Sequence, residues 1–385
     1  MGTIGSFRDR FVSGMLARGY DAEFAARCFA QIEGFGSYGF PESHAASFAR
    51  LVYISAWLKC HHQAVFTCAI LNSQPMGFYA PAQLVRDARD HGIEVRPISV
   101  NHSLWDCTLE PRADGGLALR LGFRQIKGMR EEDANWIAAA RGNGYPDVES
   151  LWRRAGIKPV MLERLAEGDA FASLGLSRRD ALWAAKALRA PAPLPLFGTD
   201  GEGGIEPTVS LPPMTLGQEV IEDYLSLRLS LRAHPMELLR PRLQDSLPND
   251  RLPKANGRVT VTGLVITRQR PGTASGVIFI TLEDETGVAN IVVWRKIYET
   301  FRKAVIAGRL VRVTGRIERD GPVVHLIAEH VEDLSHLLTT LGRPVMIEAN
   351  DGRADETKRP AGGSVRSVRH PREQAKVLFP SRDFH

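Results

Sequence analysis

The sequence predicts a multidomain α+β protein: a helical first half, a separate β-rich barrel, and a basic tail. Three observations carry that expectation. Apolar residues recur at helical spacing through most of the chain before residue 190. From residue 258 the pattern changes to short runs rich in Val, Ile and Thr. Between the two lies "APAPLPLFGTDGEGG", whose Pro and Gly content marks a linker. At 385 residues the chain can form several cores, and 44% hydrophobic with 24% charged residues is ordinary for globular proteins. A net charge of +5 favours an anionic partner without requiring one.

Residues 7–33 read as helices. Phe11, Met15 and Leu16 form one stripe, and Phe24, Cys28, Phe29 and Ile32 the next, with a break at Gly19-Tyr20-Asp21. "GFGSYGFP" follows. Pro41 suits the first turn of a helix carrying Ala45, Phe48, Val52, Trp57 and Leu58. The glycines before it are either a phosphate cradle or a plain turn, and the residues alone leave both open. Short helices are expected at 64–71 and 81–91. "GIEVRPISVN" and "WDCTLE" read as strands, the second pairing with "LALRLGF" across Asp114-Gly115-Gly116.

Residues 120–190 return to short helices, and one amphipathic helix near 217–228 interrupts the loop-rich stretch that runs to 256. Then come "RVTVTGLVIT", "GVIFITLEDETG", "VANIVVW", a helix at 295–307, "RLVRVTGRIER" and "VVHLIAEHVEDL". Five β-runs with a helix between the third and fourth is the element order of an OB-fold barrel. Its expected core is Val259, Val261, Ile266, Ile278, Ile280, Ile291 and Val311. Its expected single-strand-binding face combines basic and aromatic side chains, namely Arg268, Arg270, Phe279, Trp294, Arg295 and Lys296. Residues 337–385, rich in Gly, Arg and Pro, are expected to be a disordered basic tail.

"LGFRQIKGMREEDANWIAAAR" describes a helix-hairpin-helix. A tight turn at Gly128 before a helix turns backbone amides outward toward a nucleic-acid phosphate, and Arg124, Lys127 and Arg130 add charge. A second copy at "LERLAEGDAFASLG" carries Glu167 and Asp169, which would repel a phosphate, so that copy is expected to be structural.

No self-contained active site is legible. Nucleotidyl transfer by two metals needs clustered carboxylates, yet no Asp-x-Asp occurs. The acidic triplets are Glu131-Glu132-Asp133, in a helix first turn, and Glu283-Asp284-Glu285, in a barrel hairpin. Cys28, Cys60, Cys68 and Cys107 form no CxxC, so no disulfide framework and a reducing, cytoplasmic compartment are expected. Cys60-His61-His62 with Cys68 fits no zinc spacing. No apolar run approaches the ~18 residues of a membrane span.

"EGFGSYGFPESHAASFARLVYISAWLKCHH", "LNSQPMGFYAPAQLVRDARDHGIEVRPISVN", "LGFRQIKGM", "LSLRAHPMELLR" and "FPSRDFH" together closely resemble the C-terminal part of bacterial error-prone DNA polymerases of the C-family, paralogues of the replicative alpha subunit. The resemblance implies this order: the remainder of a fingers domain (1–104), a tandem helix-hairpin-helix module (105–190), a linker with one amphipathic helix (191–255), an OB domain (256–336) and the tail (337–385). It implies that PHP domain, palm and thumb are missing, so the chain alone is expected to be inactive, with no catalytic or metal-binding residue of its own. Magnesium and dNTPs are implied for the complete polymerase only. The fingers assignment makes Ser43, His44, Arg50 and Lys59 candidates beside nucleotide and template.

The clamp-binding motif of the family survives as Leu194, Leu196 and Phe197, with proline in place of its glutamine, which implies weak or indirect binding to the sliding clamp. Other implied partners are primer-template and single-stranded DNA, the missing N-terminal polymerase half, and an inactive Y-family-like polymerase homologue. The expected role is DNA binding and nucleotide positioning in damage-induced mutagenesis and translesion synthesis. The alternative is a standalone single-stranded-DNA-binding protein, or the inactive remnant of a polymerase gene.

Overall fold

The computed structural model describes residues 7–36, 41–75, 79–188, 211–270, 276–321, 323–342 and 382–384, with side chains at all of these except 34–36, 41–44 and 382–384. The chain divides into two compact units, Met1–Thr67 and Cys68–His385. The first holds α1 (Arg8–Leu16), α2 (Ala22–Gly36), α3 (Pro41–His61) and the start of α4 (Gln63–Asn72). Its helices meet through Phe11 and Phe29, whose rings lie 5.7 Å apart, while Ala25 and Phe29 are buried. Phe48, Val52 and Trp57 on α3 are exposed. The turn expected at 37–40 lies outside the described residues.

The second unit continues with α5 (Pro81–Asp90), β1 (Val95–Arg96), β2 (Thr108–Pro111) and β3 (Leu117–Arg120). β3 is central, antiparallel to β2 and parallel to β1. Then come α6 (Glu131–Ala139), α7 (Val148–Ala155), α8 (Pro159–Glu167) and α9 (Arg178–Ala187). Local chemistry fixes their ends. The Ser150 amide donates to the Asp147 carboxylate at 2.7 Å at the start of α7, and Gly156 closes that helix at φ 63°. Ser177 accepts from the Asp180 amide at the start of α9. Phe123, Ile137, Leu151, Leu162, Leu165 and Phe171 build one buried core from this sheet and these helices.

α10 (Leu216–Ser226) and α11 (Pro235–Leu239) follow. From residue 211 the expected linker is an ordered collar. Met236, Leu239 and Leu243 pack against Leu264, Leu310, Leu334, Leu338 and Leu341, because each apolar stripe here has a barrel surface to cover. Gly217 permits the close approach, since a Cβ there would sit 2.4 Å from the Leu341 carbonyl oxygen. Residues 191–210, with the clamp-like Leu194, Leu196 and Phe197, lie outside the described residues.

The barrel comprises β4 (Arg258–Gln269), β5 (Ile278–Glu283), β6 (Val288–Val293), α12 (Arg295–Thr300), α13 (Arg302–Ala307), β7 (Leu310–Asp320) and β8 (Val323–Asp333). Strand order β5-β6-β8-β7-β4, with β4 also paired to β5, closes five strands into the expected OB-type barrel. The helix expected at 295–307 breaks at Phe301 into α12 and α13. Val261, Ile278, Ile280, Ile291 and Val311 are in the core and Val259 packs partly against it. Ile266 is not there, because the pairing of β4 with β5 shifts between Val265 and Thr267. One extra residue in a strand reverses the inside–outside alternation beyond it. The barrel also begins before residue 256, since Leu252 is in its core and Leu247 bridges to Val261. It ends after 336: α14 (Ser335–Leu338) and Leu341 are buried against the collar. Within the expected disordered tail, β9 (Arg382–Phe384) pairs parallel with Thr267, Arg268 and Gln269 of β4. A segment placed on a strand edge by backbone pairing needs no apolar pattern to announce it.

Candidate nucleic-acid interface

The hairpin read from "RQIKGMR" is built as expected. Ile126 and Met129 are buried anchors, Lys127, Gly128 and Arg130 are exposed, and Gly128 turns the chain at φ +80°. Only glycine reaches that left-handed conformation freely. The Lys127 amide donates to the Ser226 carbonyl at 2.8 Å and the Met129 amide to Ile126 at 3.1 Å, which ties the loop to α10 and to itself. No acceptor among the described residues takes the amides of Gly128 or Arg130, immediately before α6. Unsatisfied amides at a helix start are an anion-binding arrangement.

The three basic residues expected from sequence differ in what they are free to do. Lys127 meets no carboxylate among the described residues. Arg130 is gripped by Asp133, with nitrogen–oxygen distances of 2.7 and 3.1 Å, yet its side chain stays half exposed. Arg124 is drawn inward. It pairs with Asp106 at 2.9 Å, lies over the Trp105 ring and donates to the Asn72 carbonyl, so it braces the turn. A residue the sequence did not point to takes its place: Arg228 is exposed, sits at φ +62°, and with Lys127 and Gly128 lines a groove of about 390 Å³. A positive-φ arginine after a helix leaves no sequence pattern.

The second hairpin spends its charge internally. Asp169, at φ +56°, pairs with Arg232 at 2.5 Å, and Glu167 with Arg164 at 2.8 Å. Behind it, buried Arg178 and Asp223 pair at 2.5 Å, with Glu219 2.8 Å from Arg178.

On the barrel, register brings Arg270, Phe279 and Trp294 to one end of β4, β5 and β6, since Gln269 faces Phe279 and Ile278 faces Val293. Phe279 and Trp294 are exposed, as are Arg295 and Lys296. The Arg270 guanidinium lies 5.6 Å from the Tyr298 ring, adding an aromatic the sequence did not single out. Arg268 is the exception. The bulge turns it inward, it is 6% exposed, and it donates to the Gly308 carbonyl, so it is no face residue. In the first unit Arg50 and Lys59 are exposed on α3; the side chains of Ser43 and His44 lie outside the described ones.

The triplet Glu283-Asp284-Glu285 does not fit the magnesium implied for a polymerase, because its carboxylates are already taken. Glu283 is held by Arg86 at 2.7 Å and Gln83 at 3.1 Å. Arg240 holds Asp284 and Glu285, and Asp284 also accepts from the amides of Asn249, Thr286 and Gly287. This triplet therefore joins helices to barrel. Asp133 is taken by Arg130. The four cysteines are free thiols. Burial, with Cys107 and Asp106 nearby, pushes the Cys68 thiol up to about 11, which makes it inert. Among the described residues no helix is long and apolar enough to cross a membrane.

Comparison with known proteins agrees with this geometry. Residues 92–181 match the family described as helix-hairpin-helix motif, and 259–334 match the OB-fold nucleic acid binding domain. The error-prone DNA polymerase of Ruegeria pomeroyi is 65% identical over 100% of this chain and 35% of its own length. That of Sinorhizobium medicae is 50% identical over 94% of the chain and 35% of its own length. Error-prone DNA polymerase 1 of Agrobacterium fabrum is 49% identical over 100% and 38%. The chain spans little more than a third of these curated relatives, and corresponds to their C-terminal part.

Proposed function

We propose that this chain, which corresponds in sequence to the C-terminal part of error-prone DNA polymerases, supplies the DNA-binding and nucleotide-positioning part of such an enzyme in damage-induced mutagenesis and translesion synthesis. The observation that carries the reading is the first hairpin, with exposed Lys127 and the free amides of Gly128 and Arg130 at the start of α6. Such a turn holds duplex phosphates without reading sequence, as a polymerase must. The barrel end at Arg270, Phe279 and Trp294 suits an unpaired template strand. Bond making belongs to the length of the relatives that this chain does not span. The inactive Y-family-like homologue is the proposed recruiter, and the sliding clamp is reached through it.

Salt dependence of primer-template binding tests the reading. Each phosphate neutralised by the protein adds a log–log slope of roughly −0.7 to −0.9. Replacing Lys127 and Arg130 together with alanine should flatten the slope by that amount for each phosphate no longer neutralised. An unchanged slope would show that the hairpin touches no phosphate. Primer extension adds the catalytic half: incorporation should need the remaining polymerase length, and its failure on mixing would favour a standalone single-strand-binding protein.

A further inference from the structure

The groove beside α6 is distinct from the one the hairpin rims. It encloses about 430 Å³ between α6 and the α7–α8 junction, and Arg130, Glu132, Trp136, Arg153, Arg154 and Lys158 line it. Trp136 is 58% exposed, although its neighbours Asp133, Ala134 and Ile137 on α6 are buried. An indole held in water beside cations is an unfinished stacking surface. Arg154 forms a fixed wall: it donates to the carbonyls of Gly144, Ala140 and Arg141 and lies 4.8 Å from the Tyr145 ring centroid. Those acceptors are neutral, so its charge stands without a carboxylate among the described residues. Lys158 is exposed and likewise has none. Among the described residues Arg153 is engaged by an exposed pair with Glu149, the kind that yields readily to a stronger anion.

A plane next to Arg154 and Lys158, whose charges meet no carboxylate among the described residues although Glu132 and Asp133 also line the groove, fits a ligand that is itself a plane carrying an anion. We infer that this groove takes one unpaired nucleotide of a DNA strand, its base on Trp136 and its phosphate against Arg153 and Lys158. Continuity selects nucleic acid over an acidic peptide: Arg130 both carries one of the hairpin's free amides and lines the groove, so a strand held at the hairpin would continue into it. The inference rests on the hairpin reading above and adds a preference for a frayed or tailed strand.

The test compares a blunt duplex with the same duplex bearing a short single-stranded tail containing 2-aminopurine. The wild-type chain should bind the tailed form more tightly and quench its fluorescence. Trp136→Ala should lose the quenching and weaken tailed binding about fivefold to a hundredfold, the worth of one stacked base, while leaving blunt binding unchanged. Trp136→Phe, which keeps a ring, should retain most of both. Arg153→Ala with Lys158→Ala should weaken tailed binding alone. Lys127→Ala should weaken both duplexes; blunt binding insensitive to it would sink the hairpin reading and leave the tail effect of Trp136 still measurable. The inference is overturned if Trp136→Ala alters both duplexes alike or neither. Occupation of the groove by an acidic peptide that does not compete with the tail would also overturn it.

Discussion

The helix-hairpin-helix region holds two hairpins of opposite electrostatics. The first turns at Gly128, leaves Lys127 in solvent and leaves the Gly128 and Arg130 amides without acceptors among the described residues. The second turns at Asp169, and its carboxylates are met by Arg232 and Arg164. In the first the backbone faces outward; in the second the Ala170 carbonyl accepts from Val100 at 2.9 Å, inside the fold. One hairpin thus leaves polar groups exposed, while the other spends them inside the fold as a brace. What decides between them is whether the protein already supplies partners for the turn's polar groups.

The largest effect should fall on the brace. Asp223→Ala leaves buried Arg178 without its closest carboxylate, and breaking such a pair costs about 3–5 kcal/mol. Urea unfolding should show that loss, and a midpoint near wild type would mean charge does not hold the second hairpin.

Gly128→Val sharpens the contrast next. A branched side chain at φ +80° costs about 1–2 kcal/mol and reorients the free amides. Duplex affinity should therefore drop more than thermal stability does. Asp169→Asn, which tolerates the φ +56° backbone but removes the charge, should do the reverse, lowering stability by weakening the Arg232 pair and sparing affinity. Equal behaviour of the two variants would erase the distinction.

The smallest effect is on pH. His234 accepts from the Met236 amide at 3.2 Å in the collar, and burial holds its pKa below the ordinary 6.5. Glu283, Glu285 and Asp284 push the other way, while Arg86 reinforces the depression. A depressed histidine costs nothing above 6.5; as pH falls below that, the unfolded chain takes up the proton first and stability declines. His234→Asn, which keeps an acceptor, should flatten the decline between neutral and mildly acid pH in thermal melts while the first hairpin's DNA affinity stays level. An unaltered pH profile would remove His234 from the account.

The barrel order, the helical first half and the first hairpin were legible because each rests on local signals: strand alternation, turn glycine and helix start. Composition also set the two hairpins apart: Glu167 and Asp169, from which the second copy was expected to be structural, are paired with Arg164 and Arg232. What failed did so at tertiary boundaries. Ile266 and Arg268 were assigned by an alternation that a one-residue bulge reverses. The stretch from 211 to 256 looked like linker because its apolar residues cover surfaces far away in sequence.

By itself, then, the sequence determined the module order, the turn chemistry at Gly128 and the absence of an Asp-x-Asp platform, all set by neighbours along the chain. Only the tertiary structure decided which charges stay available. Arg124 folds onto Trp105 and Asp106, the triplet Glu283-Asp284-Glu285 is claimed by Arg86 and Arg240, and Arg228 and Trp136 are left facing outward. A side chain's freedom depends on partners brought close by folding, and spacing along the sequence does not encode them.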